Sequence, residues 1–345
     1  MIVIDGSYGE GGGQLLRTAV ALAAITGRDV RVRSIRAGRP NPGMQAQHLR
    51  GVEAVAGLCD ARTQGATLGS TELVFEPGRI KPRSLKIDIG TAGAVTLVLQ
   101  ALTLAAARAE GTTTVELTGG THVSWSPPTD YFSEIFCKHL GKIGIEVSIE
   151  TIRYGFFPRG GGRICAEIHG SGSWRGLTSW PSASVDRMSV KSVASEDLRR
   201  PQVAERQLAG FKAVLGGQVT EEAIYVPSFS TGSSLFASAA CEGTLLGADS
   251  LGKRGVKAEQ VGEETAKHLK AEIDSHASLD IHAADMVIPY LALGSGPSRF
   301  TVREMSGHLT SMQWLLRQFV DVDFHTEKKG TLHEIAVIPR GNTGA

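Results

Sequence analysis

The sequence predicts an α/β fold of the α+β kind: three repeated βαβαββ units around a pseudo-threefold axis, with a smaller inserted α/β domain. Three observations carry that prediction. Periodic segments laid under one another repeat the order strand, helix, strand, loop, helix, strand, strand. Between the second and third copies lies a stretch that breaks the repeat and has its own strand and helix patterns. At 345 residues, with 41% hydrophobic and 21% charged side chains, the chain is long enough for two domains. The larger is expected to comprise residues 1–184 and 276–345, and the insert residues 185–275.

In the first copy a strand starts at Ile2, followed by a helix over Gln14–Ala24, a strand over Asp29–Ile35, an arginine-bearing loop, a helix over Met44–Leu58 and strands ending near Phe75. The second begins at Leu85 and passes through Gly90-Thr91-Ala92-Gly93 to a helix over Val95–Arg108 and a strand over Thr113–Leu117. A loop over Gly119–Pro128, a helix over Thr129–Ile143 and two strands ending near Ile168 complete it. The third is expected as a helix over Asp285–Leu293, a strand over Arg299–Arg303, a loop over Glu304–His308, a helix over Leu309–Phe319 and strands over Val322–His325 and His333–Ile338. The insert reads as a strand over Arg187–Val193, a helix over Gln202–Leu215, strands around Ile224 and over Phe236–Leu245, and a charged helix over Ala258–Ile273. That last helix carries Glu259, Glu263, Glu264, Lys267, Lys270 and Glu272, expected as a solvated face, and Ser228–Ser234 reads as a flexible turn.

The densest chemical signal is Asp5-Gly-Ser-Tyr-Gly-Glu-Gly-Gly-Gly-Gln14, where five glycines fill one turn between a strand and a helix. Glycine leaves amide N–H groups uncovered, and the helix that follows presents its positive end, so a phosphate is the natural guest. Glu10 would repel a bare anion, and its reasonable role is to hold a divalent cation that meets phosphate oxygens. No Lys-Ser/Thr follows, so this is not a Walker A loop, and the glycine spacing misses the dinucleotide fingerprint. Seven arginines (17, 28, 31, 33, 36, 39 and 50) then fall between residues 15 and 50 against a single Asp29, while the whole chain has a net charge of only +1. Such focused basicity does not suit a diffuse nucleic-acid coat. Arg36 and Arg39 lie in a Gly/Pro-braced loop that would hold their forks for bidentate phosphate contacts, whereas Arg28, Arg31 and Arg33 read as exposed strand positions.

If the copies pack about one axis, equivalent loops reach the same end of the molecule. Arg36 and Arg39, the Ser124–Pro128 turn and Ser306–His308 then face one another, together with Glu10, Thr91 and Asp285 from the segments entering each first helix. The set includes a metal-capable carboxylate pair, an arginine clamp, a Pro/Trp wall for an aromatic base, and one histidine, whose neutral imidazole could attack an α-phosphate. The four cysteines lack the spacing of a zinc or redox site and read as core residues. No apolar run is long enough to span a membrane and no signal peptide precedes the first strand, so a cytoplasmic location is expected.

Over essentially its full length the chain resembles the RNA 3′-terminal phosphate cyclases. The resemblance rests on the glycine loop, Ser34-Ile-Arg-Ala-Gly-Arg39, Pro42-Gly43, Gln47-His48-Leu49, Thr96-Leu-Val-Leu-Gln100, Gly119-Gly-Thr121, Pro127-Pro128, Gly155-Phe156, Gly160-Gly-Gly162 and His308-Leu309. It implies that a histidine is adenylylated by ATP, that AMP passes to the 3′-phosphate of RNA, and that the vicinal 2′-hydroxyl displaces AMP to leave a 2′,3′-cyclic phosphate. The partners implied are ATP, a divalent metal (Mg or Mn) and RNA with a 3′-terminal phosphate. By the resemblance, the nucleophile falls on His308 and the metal-contacting glutamate on Glu10. Phosphate or nucleotide contacts fall on Arg17, Arg36, Arg39, Gln47, Gln100 and Asp285, and one side of the adenine sandwich on Pro127. The other side departs from the pattern, because His282 stands where well-known members have tyrosine and Met286 where they have glutamine. The implied fold is the repeated βαβαββ unit shared with the enolpyruvyl transferases. Such a transferase, needing no covalent histidine, is one alternative; a non-catalytic cyclase-like protein of ribosomal RNA processing is another.

Overall fold

A computed structural model of the chain describes residues 1–177 and 184–341; the segment at the expected 184/185 boundary, residues 178–183, lies outside the described residues, as do 342–345. The first unit contains β1 (Ile2–Asp5), α1 (Gly13–Thr26), β2 (Val30–Arg33), α2 (Ala46–Cys59), β3 (Arg62–Gln64) and β4 (Leu73–Glu76). The second contains β5 (Ser84–Asp88), α3 (Val95–Ala106), β6 (Glu110–Gly119) and α4 (Thr129–Tyr131), which runs through a π-helical turn, Phe132–Cys137, into α5 (Lys138–Ile143), then β7 (Glu146–Arg153) and β8 (Gly162–Ser171). Their sheets have the same order, β1-β2-β4-β3 and β5-β6-β8-β7, with one parallel pair each. Even the turn chemistry repeats. Asp5 Oδ1 accepts the Ser7 N–H at 2.9 Å and Asp88 Oδ1 the Gly90 N–H at 2.8 Å, so each first strand ends in a side-chain turn aimed at the next helix.

A different sheet follows, β10-β9-β11-β12, formed by β9 (Val185–Ser195), β10 (Val219–Val226), β11 (Ser233–Cys241) and β12 (Thr244–Leu251) and backed by α6 (Val203–Val214) and α7 (Ala258–Ser275). These elements bury their own apolar cluster around Phe211, Leu235, Ala266 and Leu269. The strand expected over Phe236–Leu245 is in fact a hairpin, turned at Glu242-Gly243, where Gly243 has φ 81°.

The third unit supplies α8 (Ile281–Leu293), β13 (Ser298–Val302), α9 (Gly307–Phe319), β14 (Val322–Lys329) and β15 (Leu332–Pro339). Its sheet, β13-β15-β14, matches the other two without their first strand. The missing position is filled from before the insert. Arg175 bridges Ser295 in parallel, and Arg299 N–H donates to the Leu177 carbonyl at 2.9 Å. Trp174 is buried beside them, its indole N–H donating to the Tyr290 carbonyl at 2.7 Å. The four-stranded β10-β9-β11-β12 sheet therefore lies in the chain between this bridging segment and α8.

Helices of all three units share one large core: α1 packs on α2, α3 and α9, and α8 on α9 and α3. The reason is visible in α1, where Leu15, Leu16, Ala19, Val20, Leu22 and Ala23 are all buried, so small and branched apolar side chains line most of its surface, with Arg17 the buried charge among them. Gly27, with φ 62°, ends it. In β2 the alternation is strict, with Val30 and Val32 inward and Arg31 and Arg33 outward.

Two acids at the joint between insert and body are more buried than their sequence context indicates. Glu272, expected on a solvated face, is buried and pairs with Arg303 Nε at 2.8 Å, because it faces the third unit and not water. Asp249 lies on β12 near Asp280, whose carboxylate caps α8 and accepts from the Tyr131 hydroxyl at 2.5 Å and the Gly247 N–H at 3.0 Å. Burial, then the charges of Asp280 and Asp130, push Asp249 up to about 7 from 3.8. An acid whose folded pKa is raised costs stability as pH climbs between its unfolded and folded values. Asp249→Asn is thus expected to raise the thermal midpoint by a few degrees at pH 8, with the gain shrinking below pH 7 and vanishing near pH 4; a gain that is the same at both ends of that range would contradict the assignment.

Candidate active site

The N-termini of α1, α2 and α9 meet at the glycine loop. The first turns of α2 and α9 are already capped, by the Gln45–His48 capping box and by Ser306, so the open N–H groups there are those of α1, whose N-cap Gly12 supplies no side-chain bond. Glycine is needed where the elements touch: a Cβ on Gly13 would lie 2.0 Å from His48 Nε2, and one on Gly307 would lie 2.5 Å from Glu10 Oε1. Position 307 is thus kept bare so that the first turn of α9 can sit against the Glu10 carboxylate.

His308, the second residue of α9, has its Nε2 3.3 Å from Glu10 Oε2, and Arg39 Nη2 approaches the same oxygen at 3.7 Å. All three side chains remain about two-fifths exposed. A shallow cleft opens there between Tyr8, Glu10, Gly12, Gln14, His308 and Ser311. Burial holds the His308 imidazole below the usual histidine range; the charge of Glu10 opposes this, while Arg17, Arg39 and His282 add to it. The ring is therefore neutral at neutral pH, the form in which its nitrogen has a lone pair to offer.

Ser306 fixes the position of α9. Its hydroxyl oxygen accepts the Leu309 N–H at 2.8 Å as the N-cap and donates to Asp285 Oδ1 at 2.5 Å. Asp285 lies one turn inside α8 instead of entering it, and burial, against the Ser306 hydrogen bond and with the charges of Glu10 and Asp280, lifts it to about 7. Glu10 and Asp285, expected as a carboxylate pair, thus have different surroundings: Glu10 faces the cleft and Asp285 is buried behind Ser306.

Arg17 is buried one turn into α1, its guanidinium drawn down to about 10 by desolvation. It lies against His48, which burial and then the charges of Arg17 and Arg36 hold neutral, at about 3. Arg36 turns back on its own loop, its Nη1 donating to the carbonyls of Asn41 at 2.6 Å and Gly43 at 2.9 Å. The basic field is also less continuous than the sequence indicates, because Arg31 and Arg33 share Glu72 and Arg50 pairs with Glu53. Gln47 ties the first unit to the second, its Oε1 accepting the Ala94 N–H at 2.8 Å. Pro127 is partly exposed and anchored through its carbonyl, which accepts the Thr96 hydroxyl at 2.8 Å. His282 is exposed and edge-on to Tyr131, with ring centroids 6.4 Å apart. Trp125, expected to help form an apolar wall, is 93% exposed with φ 67° and touches no ring partner among the described residues. Gln100 lies apart from the Glu10–His308 cleft, lining a second one with Arg17, Met286 and Pro289.

Among the described residues no three His, Cys, Asp or Glu side chains group to hold a metal by themselves. The half-exposed Glu10 does suit a cation of the Mg type, which takes one or two carboxylates and completes its shell with water and substrate phosphate oxygens.

A family model described as RNA 3′-terminal phosphate cyclase matches residues 8–326, which takes in Glu10 with glycines 9 and 11–13 and the α9 histidine. Curated proteins of that name from Methanopyrus kandleri (40% identical over 99% of both chains), Pyrobaculum aerophilum (42% over 97% of both) and Nitrosospira multiformis (39% over 98% of this chain and 97% of the other) are similar throughout. The chain belongs to the RNA 3′-terminal phosphate cyclase family. That is a family of enzymes, and its fold is the mixed α/β arrangement described above. None of the helices among the described residues is long and apolar enough to cross a membrane.

The cyclase fold also positions residues to which sequence reasoning gave no role. Ser306 is readable in hindsight, since Ser followed three residues later by an apolar helix start is a capping pattern. Tyr8 stacks on Trp314 with centroids 4.0 Å apart and planes at 14°, which pins the glycine loop to α9; no local signal joins two aromatics so far apart in the chain. His48 could only have been found through the small residue it needs at Gly13.

Proposed function

We propose that the site converts an RNA 3′-terminal phosphate to a 2′,3′-cyclic phosphodiester at the expense of ATP, through covalent histidine-AMP. The observation that carries this reading is the half-exposed His308 imidazole in the first turn of α9, its Nε2 3.3 Å from Glu10 Oε2. In the first step the imidazole nitrogen attacks the α-phosphorus of ATP, a P–N bond forms, and the bond to the bridging oxygen breaks to release diphosphate. In the second, an oxygen of the RNA 3′-phosphate takes the AMP from His308. In the third, the 2′-hydroxyl oxygen attacks the 3′-phosphorus and loses its proton, and AMP leaves. A divalent cation held by Glu10 would offset charge on the triphosphate. Arg39, Arg17 and the helix ends stabilise negative charge on the transferring phosphoryl groups. Ser306, held by Asp285, keeps His308 on line.

Two substrates test the scheme: α-labelled ATP with RNA ending in a 3′-phosphate, and the same RNA ending in a 3′-hydroxyl. Label is expected on the protein in an acid-labile, alkali-stable form, and cyclic product only from the phosphorylated RNA, with little regard to sequence. Diphosphate released on mixing with ATP alone, leaving labelled protein, separates this scheme from an enolpyruvyl transferase, which would instead release phosphate from phosphoenolpyruvate with no labelled protein. RNA binding without either reaction would favour a binding role in RNA processing. Arg39→Ala is expected to weaken the step that uses it by about 1.5–3 kcal/mol, as for other lost charge-assisted contacts, with lysine restoring only part because it lacks the planar fork. Full activity in Arg39→Ala would remove that residue from the site.

A further inference from the structure

Away from the Glu10–His308 cleft, the second unit and the insert meet in a small exposed patch of rings and arginines. Phe229, in the loop before β11, is 54% exposed, and the Arg153 guanidinium lies over its ring with the Cζ 4.8 Å from the centroid. Arg153 Nε also donates to the Gly161 carbonyl at 2.6 Å, which holds the guanidinium plane on the ring. The fit requires a bare backbone, since a Cβ on Gly161 (φ 68°) would lie 2.3 Å from Phe229 Cδ2. Arg159 joins from the same loop, its N–H donating to the Ser230 hydroxyl at 3.0 Å, and Phe157 beside it is 72% exposed. Arg153 and Arg159 are both exposed, and neither makes an ion pair among the described residues, unlike their neighbours Arg163 and Lys191.

This patch is continuous with the site. A Cβ on Gly160 would lie 2.7 Å from Ala92 Cα, so the 155–162 loop rests on the loop that enters α3. That loop in turn touches Gln47: its Ala94 N–H is bonded to the Gln47 side chain, and a Cβ on Gly93 would lie 3.2 Å from Gln47 Cβ. A surface strip therefore runs from Gln47, over residues 91–93, to Arg153, Arg159 and Phe229.

Resting on the cyclase reading, we propose that this strip carries the single-stranded RNA that precedes the reacting 3′ end, with a base stacked on the Arg153–Phe229 platform and the backbone held by Arg153 and Arg159. Two unpaired cations complement a phosphodiester chain, and a guanidinium plane fixed on a ring offers any base a face on which to stack without selecting its sequence.

The test compares a decauridylate with a 3′-phosphorylated dinucleotide, which is too short to span the strip. Arg153→Lys, which keeps charge and loses the plane, and Arg159→Ala are each expected to weaken binding of the 3′-hydroxyl decamer by about tenfold, measured by fluorescence anisotropy. Both should leave cyclisation of the dinucleotide and labelling by ATP unchanged. Because binding of the 3′-hydroxyl decamer involves no reaction, it reports on the platform even if the wild-type protein makes no cyclic product. Unchanged decamer affinity in both variants overturns the proposal. So does a shift in sedimentation coefficient with unchanged RNA affinity, which would assign the patch to a second copy or a protein partner.

Discussion

Replacing His308 by alanine is expected to abolish both labelling by α-labelled ATP and cyclisation, each by at least about 10⁴-fold, the scale seen when a covalent nucleophile is deleted. The protein should remain folded. His308 is about two-fifths exposed and caps nothing, the N-cap being Ser306, so its loss leaves neither a cavity nor an orphaned polar group in the core. A circular-dichroism midpoint within a few degrees of wild type would establish that the loss is chemical. Labelling that survives in the alanine variant would place the covalent bond on another residue and remove the central step of the proposed mechanism.

Glu10→Ala should slow adenylylation by orders of magnitude, on the scale of about 10²–10³, with Glu10→Gln little better, because the amide keeps the shape and loses the charge. There is an apparent conflict. Glu10 raises the His308 pKa, so deleting it leaves the imidazole still more fully neutral, which by itself would favour attack. If the only task of Glu10 were to tune His308, both variants would label at least as fast as wild type and the acidic limb of the pH profile would move to lower pH. If it holds a cation, labelling falls at every pH and the metal concentration needed for half-maximal rate rises. These outcomes have opposite signs, so one titration of metal at two pH values separates them.

Much of the architecture was legible because it rests on local pattern. The apolar spacing of α1 and α2 and the alternation in β2 each express one side-chain periodicity, and a repeat lets each copy check the others. The convergence of Glu10 and His308, nearly the whole chain apart, followed from that repeat. What was not legible depended on distant partners. The segment at residues 174–177, which meets the third unit through an isolated bridge at Arg175, has no helix after it to mark it as part of a unit. Glu272 sits on a charged helix and looks solvated until Arg303 is placed opposite it, and the environment of Asp285 depends on Ser306. The π-helical turn at Phe132–Cys137 has the same composition as an ordinary helix. Arg36 shows the limit for side chains, because a braced loop supports either a fork aimed outward or one spent on its own carbonyls.

The bridging of residues 174–177 to the third unit has a consequence for the order in which the chain matures. Leu177 and Ser298, which are hydrogen-bonded neighbours in the finished protein, are 121 residues apart in the chain. Closing so long a loop is thermodynamically mild, since each doubling of length costs only about 0.6 kcal/mol, but it has to wait for synthesis. Until β13 leaves the ribosome, the edge that contains Trp174 has nothing to cover it, and α9, with His308 at its tip, does not yet exist. At about 5–20 residues per second, roughly 6–24 seconds pass with the apolar edge open. The protein is therefore at greatest risk of aggregation late in translation, and a truncated chain could display every arginine of the glycine-loop region while having no nucleophile to use with them.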